Sequence, residues 1–155
     1  MSKRVITLGT WNGNPIEWIV LKEDDFSALV ISKQILLNCL FNNNQSDGDR
    51  WETSRIRNYL NYTFYNQAFN ENEKKRIVNV YLHDPNGTKD NVFCLSESEA
   101  NQYMTTAERC STDVWWLRTP YSGTEAENIH TSGKISHCGY VNSNYGVRPA
   151  MYVKE

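Results

Sequence analysis

Long apolar runs are missing from this chain of 155 residues. Val5–Leu8, near the start, is too short for a signal-peptide core, and no stretch approaches the roughly 20 residues of a membrane-spanning helix. The expected address is therefore cytoplasmic. A one-sided charge is missing as well: 16 basic against 18 acidic residues leave a formal net charge of −2. No strong field then draws phosphate backbones or anionic lipid, so neither nucleic acid nor a membrane is an expected partner. The four cysteines, Cys39, Cys94, Cys110 and Cys138, form no C-x-x-C pair. That excludes a zinc ribbon, a thioredoxin motif and a dense disulfide framework; they read as reduced thiols, with Cys39 and Cys94 buried. His83, His130 and His137 show no H-x-x-H or H-E-x-x-H spacing, and EF-hand loops and Gly-rich phosphate loops are absent. No metal, cofactor or catalytic residue is expected.

What is present is aromatic: 5 Trp, 9 Tyr and 5 Phe, large rings with polar edges that serve cores and binding surfaces alike. The length suits one domain over residues 1–155, able to bury roughly 70% of its unfolded surface. Val5–Leu8, Ile16–Leu21 and Ser27–Ser32 predict an antiparallel meander with a turn at Asn12, Gly13, Asn14 and Pro15. Leu36–Phe41 is a short apolar stretch, and residues 42–50 form a polar loop. Thr53 or Ser54 caps a helix that buries Ile56, Tyr59, Leu60 and Phe64. Asn70 with Glu73 starts a second, running to Arg76 and burying Ile77. Ser96 with Glu99 is a capping box for a third, over residues 97–104, after a strand at Asn91–Leu95. His83–Asn91 reads as a turn. Val114–Leu117 is a strand ended by Thr119 and Pro120, and strand composition returns only at Val147–Val153. The fold class is α+β.

Two motifs carry a resemblance. Trp115-Trp116-Leu117-Arg118-Thr119-Pro120 and Gly146-Val147-Arg148-Pro149-Ala150-Met151 resemble the W-W-L-R-S-P and G-V-R-P-A-L motifs of an uncharacterised bacterial and phage domain family. Ile16-Glu17-Trp18, Trp51, Ser54, Arg55, Leu60 and Val92-Phe93-Cys94-Leu95-Ser96 with Glu99 are similar to its other motifs. The resemblance implies a C-type-lectin-like or formylglycine-generating-enzyme-like fold with short antiparallel strands, two or three helices and long irregular C-terminal loops. It also implies a place in the cytoplasm or in a phage particle. No E-P-N or Q-P-D calcium triplet is present, and the paired metal-binding cysteines of the enzymes have no counterpart. Some proteins of that fold are the variable proteins of diversity-generating retroelements. Ile129, His130, Ser132, Ser136, His137, Cys138, Tyr140, Asn142, Asn144 and Tyr145 all belong to the set reachable from asparagine codons by adenine changes. Loops favour Ser, Asn and Tyr in any case.

The C-terminal third thus divides into a frame and a displayed part. Arg118 and Arg148 can tie loop carbonyls with five fixed donors each; with Trp115, Trp116, Pro120 and Pro149 they form the frame. Tyr121–Tyr145 is displayed, with His130, Ser132, Ser136, His137, Tyr140, Asn142, Asn144 and Tyr145 as expected ligand contacts. The favoured function is non-catalytic binding of a protein or glycan, with self-association left open. Two alternatives stand beside it. One is a structural or assembly domain of a phage or bacterial complex. The other is an enzyme built around His83, His130, Cys110 or Cys138, which needs a cleft and an orienting partner.

Overall fold

The computed structural model describes residues 2–85 and 87–155; Met1 and Asn86, the latter within the turn expected over His83–Asn91, lie outside the described residues. The strands are β1 (Val5–Trp11), β2 (Asn14–Glu23), β3 (Ser27–Ser32), β4 (Leu37–Leu40), β5 (Ile77–Val78) and β6 (Val80–Leu82). They continue with β7 (Thr88–Asp90), β8 (Trp115–Pro120), β9 (Ala126–Ile129), β10 (Ile135–Ser136), β11 (Asn144–Val147) and β12 (Ala150–Lys154). The architecture is mixed α+β, with two five-stranded sheets of order β1-β2-β3-β12-β5 and β10-β9-β8-β11-β4 and a β6-β7 hairpin.

The meander forms as the sequence predicts. Asn12 and Gly13 both take positive φ, 51° and 80°, the backbone that turns two strands back with the right twist. Along β2, Ile16, Trp18 and Val20 are buried in alternation, until a register shift between Val20 and Lys22 lets Leu21 enter the core too. The buried Trp18 ring keeps its N–H satisfied on the Leu8 carbonyl at 2.8 Å. β12 then closes against β3, Ala150 opposite Ile31 through Lys154 opposite Ser27, and the second sheet hangs from the chain on either side of it.

Residues 55–68 form a helix that begins where Ser54 Oγ accepts from the Arg57 N–H. Ile56, Leu60, Phe64 and Ala68 are buried at four-residue spacing. Its middle, Tyr59–Phe64, is π-helical, a local widening found mostly at functional sites. Phe64 packs edge-on to Phe69 with ring centroids 5.8 Å apart and lies 4.9 Å from Trp11. Phe41 joins the helix region to the second sheet through Trp51 and Trp116.

Several boundaries differ from expectation, each for a physical reason. The capping box at Asn70 and Glu73 forms, but the helix stops at Lys74 because Ile77 is drawn into β5 against β12. The strand expected at Asn91–Leu95 is an extended segment with one bridge, Phe93 to Ala150, because its polar groups turn to side chains such as Asn61. The expected turn before it contains a strand, Thr88–Asp90, paired with β6. β8 runs from Trp115 through Thr119 and Pro120 rather than being ended by them, its last residue opposite Ala126. The single strand expected at Val147–Val153 is broken at Arg148 and Pro149, since Pro has no N–H for the ladder.

The β9–β10 hairpin turns at Gly133, with φ at 86°, and a methyl group added there would meet the Thr106 carbonyl oxygen at 2.3 Å. Gly13 has a similar φ of 80° but nothing within 4 Å. Gly13→Ala should therefore cost about 1–2 kcal/mol from backbone strain alone, and Gly133→Ala that amount plus roughly 1–3 kcal/mol of overpacking. Chemical denaturation of the two variants checks the order; equal losses would contradict it.

Candidate functional site

The expected frame residues occupy the deepest parts of the molecule. Trp115, Trp116, Leu117 and Arg118 are all buried, so β8 is covered on both faces. Trp115 donates to the Arg109 carbonyl and Trp116 to the Cys39 carbonyl, both at 2.9 Å. Arg118, 2% exposed, donates to the carbonyls of Asp84 at 2.7 Å and Cys94 at 2.8 Å and to Glu99 Oε1 at 2.6 Å. Arg148, 1% exposed, donates to the carbonyls of Ser32, Lys33 and Glu108, with its guanidinium over the Trp115 ring at 4.8 Å. Burial lowers its pKa to about 10. Pro149 is buried and its carbonyl accepts from the Ser32 N–H, while Pro120 is half-buried.

Two further members escaped the sequence reading. Arg109 is buried and holds the carbonyls of Ala100, Met104 and Gly133. It follows an unread capping box, Thr105 with Glu108, and that spacing was the available signal. Asp49, buried in the polar loop, accepts from the N–H groups of Tyr121 and Gly123 at 2.9 and 2.8 Å. No pattern in the loop marks it.

The segment 121–145 is displayed only in part, because Ala126, Glu127, Asn128 and Ile129 are all buried. Its exposed aromatic centre is a ledge. Tyr121, 57% exposed, stacks on His137 with centroids 4.7 Å apart and planes 13° apart. A bridge sets Tyr140, 51% exposed, opposite Glu125, two positions from Glu127. Directly opposed residues share a face, so Tyr140 lies on the side of the strand from which Glu127 meets His137. The other expected contacts lie elsewhere. His130 and Ser132 hydrogen-bond each other at the hairpin tip, and Ser136 Oγ accepts from the Cys138 N–H. Asn142 and Asn144 are exposed, whereas Tyr145 is half-buried with its ring 4.8 Å from Trp116. The hairpin through Gly133 forms, yet His130 and His137 have separate partners. No cluster able to hold a metal occurs among the described residues.

Beneath the ledge, His137 Nδ1 sits 2.7 Å from Glu127 Oε1, and Glu127 is 4% exposed. Burial, with the Glu97 and Asp84 carboxylates nearby, pushes the Glu127 carboxyl up to about 8. A neutral Glu127 carboxyl accepts from His137 at Oε1 and keeps its proton beside the Glu97 carboxylate. The bond at Nδ1 orients the imidazole and leaves Nε2 for a ligand. Glu127 is too buried to touch a substrate itself.

A concavity of about 800 Å³ is lined by residues 42–43, 52–55, 57–58, 61–62, 79 and 89–91, none of them from the displayed segment. The sequence reading missed it altogether.

Residues 27–155 match the family described as a domain of unknown function (DUF6273), and the chain belongs to that family. No curated protein and no solved structure matches it. Among the described residues no helix is long and apolar enough to cross a membrane.

Two predictions follow from the burial of these groups. Arg148→Met leaves three carbonyls without their donor and should cost roughly 3–5 kcal/mol; Arg148→Lys should recover only part, and full recovery by Lys would contradict the fork geometry. Glu127 holds its proton to about pH 8 when folded, against an ordinary value of 4.5. The unfolded chain sheds the proton first, so its contribution to stability is full below pH 4.5 and declines as pH rises to 8. Glu127→Gln keeps an acceptor for His137 and has no titrating proton, so it should abolish this decline. It should match the parent at pH 4 and exceed it by up to a few kcal/mol at pH 9, at about 1.4 kcal/mol per pKa unit. Parallel stability curves would refute the assignment.

Proposed function

We propose that this chain is a non-catalytic binding domain that presents the exposed part of residues 121–145 to a protein or glycan. The observation that carries the reading is the Tyr121–His137 stack beside Tyr140: three exposed rings on backbone held by the Asp49 carboxylate and by β-bridges. Rigid aromatic anchors with adaptable polar neighbours are the composition of evolved binding surfaces. Exposed rings of this size on a frame with satisfied polar groups have no evident role in folding.

The finer reading is a C-type-lectin-like fold, and within it a variable protein of a diversity-generating retroelement. The framing of irregular loops by the Trp115–Pro120 and Gly146–Met151 motifs supports the first by analogy. Exposure of His130, Ser132, His137, Tyr140, Asn142 and Asn144 supports the second. Ile129, fully buried, does not fit a varied position. A near-copy of the Trp115–Val153 coding region differing only at adenines, beside a reverse transcriptase gene, would establish it; a genome lacking both would end it.

The binding reading is tested with protein and glycan arrays probed by the labelled chain. Tyr121→Ala, His137→Ala and Tyr140→Ala should each lower a specific signal at least tenfold while the melting temperature stays within about two degrees. Signals that survive all three changes, or that fall only together with folding, would refute the assignment of the ledge.

A further inference from the structure

The groove lined by residues 42–43, 52–55, 57–58, 61–62, 79 and 89–91 has a built floor. The Asp90 carboxylate, fully buried, accepts from Trp51 Nε1 at 2.9 Å, Arg57 Nε at 2.7 Å and Thr88 Oγ1 at 2.8 Å. Asn61, from the π-helical turn, donates to the Val92 carbonyl and accepts from the Asn91 and Val92 N–H groups. These bonds fix the walls before any ligand arrives, which is what a binding site requires of its supporting residues.

The charged groups left over are donors, and Asn58 adds a carboxamide that both donates and accepts. Asn58 and Lys89 line the groove with side chains that make no hydrogen bond among the described residues. Arg55 gives one N–H to Asn43 Oδ1 at 2.7 Å and has further N–H groups to offer. The floor carboxylate is already satisfied and Arg50 pairs with Glu52 at 3.2 Å, which leaves Lys89 and Arg55 to meet acceptors and negative charge on a ligand. The lining holds six asparagines and only one aromatic residue, Tyr62, whose ring is 68% exposed. Such a surface offers no apolar pocket for a lipid or for a buried protein anchor. Nucleic acid needs a succession of cations along its phosphates, and here Lys89 and Arg55 stand in a chain of net charge −2. Sugar hydroxyls and acetamido groups match planar amides, a ring's C–H face matches Tyr62, and a carboxylate matches Lys89 and Arg55.

We infer that this groove is a binding site for an acidic oligosaccharide, one that carries uronate carboxylates, separate from the Tyr121–His137 ledge. Its volume of about 800 Å³ accommodates a short saccharide.

Isothermal titration with a hyaluronan hexasaccharide and a galacturonate hexamer tests the inference, with chitohexaose, tripolyphosphate and a short oligothymidylate as comparisons. At least one uronate ligand should bind, and bind at least tenfold tighter than all three comparisons. Tyr62→Ala, Lys89→Ala and Asn58→Ala all alter exposed side chains, so the fold should persist. Each should weaken binding about tenfold or more at unchanged melting temperature, whereas Tyr121→Ala and His137→Ala should leave it intact. Failure of both uronate ligands to bind at millimolar concentration would overturn the inference. So would equal binding of tripolyphosphate, oligothymidylate or chitohexaose, or a loss confined to the ledge variants. Because the two sets of variants are separate, the groove can fail while the ledge stands, and the reverse.

Discussion

Backbone carbonyls that leave a sheet and enter the interior must find donors, and in this chain they find guanidinium groups. Arg109, Arg118 and Arg148 together accept the burden of eight carbonyls, from segments as far apart as Ser32, Asp84, Cys94 and Gly133. Each uncompensated carbonyl would cost about 1–3 kcal/mol, against a total stability of roughly 5–15 kcal/mol for a domain. Without these forks the irregular half of the chain could not be both buried and ordered. The surrounding aromatic rings add to the effect: Phe93 and Trp115 lie under Arg118 and Arg148 and exclude water from their bonds.

A frame of this kind frees the intervening residues from structural duty. Tyr121 and Gly123 are tethered through their backbone to Asp49, so that hold on the loop does not depend on the Tyr121 side chain. His137 is oriented by Glu127 and remains nearly half exposed. The groove beside the helix over residues 55–68 follows the same logic with a carboxylate in place of a guanidinium: Asp90 gathers Trp51, Arg57 and Thr88, and the exposed Asn58, Tyr62 and Lys89 stay uncommitted.

Much of this was legible in the sequence where a local rule was strong. The Ser96–Glu99 box, the Ser54 cap and the Asn12–Gly13 turn are each decided by a few adjacent residues, and the structure has all three. The Trp and Arg motifs marked the buried centre of the C-terminal half because large rings and proline beside arginine have few other uses. What stayed hidden depends on distant segments. Glu127, charged and next to Asn128, reads as an outward-facing residue, yet both faces of β9 are covered, and only the fold brings Glu97 and His137 to it. The groove draws on four separate stretches, and the one motif among them, at Ser54 and Arg55, spoke of a helix start rather than of a site. Arg109 follows a box as regular as the others, but four residues of helix gave no apolar period to read.

The central claim is that the displayed loops are held in place before any partner binds. Native-state amide hydrogen exchange measures this directly. The N–H groups of Tyr121 and Gly123 on Asp49, Ala126 on the Gly139 carbonyl and Val141 on the Thr124 carbonyl should exchange far more slowly than an open loop. The Thr131 N–H at the hairpin tip, without an acceptor among the described residues, should exchange at once. Random-coil rates across 121–125 and 139–141, in a chain whose β3 and β12 amides remain protected, would contradict the account.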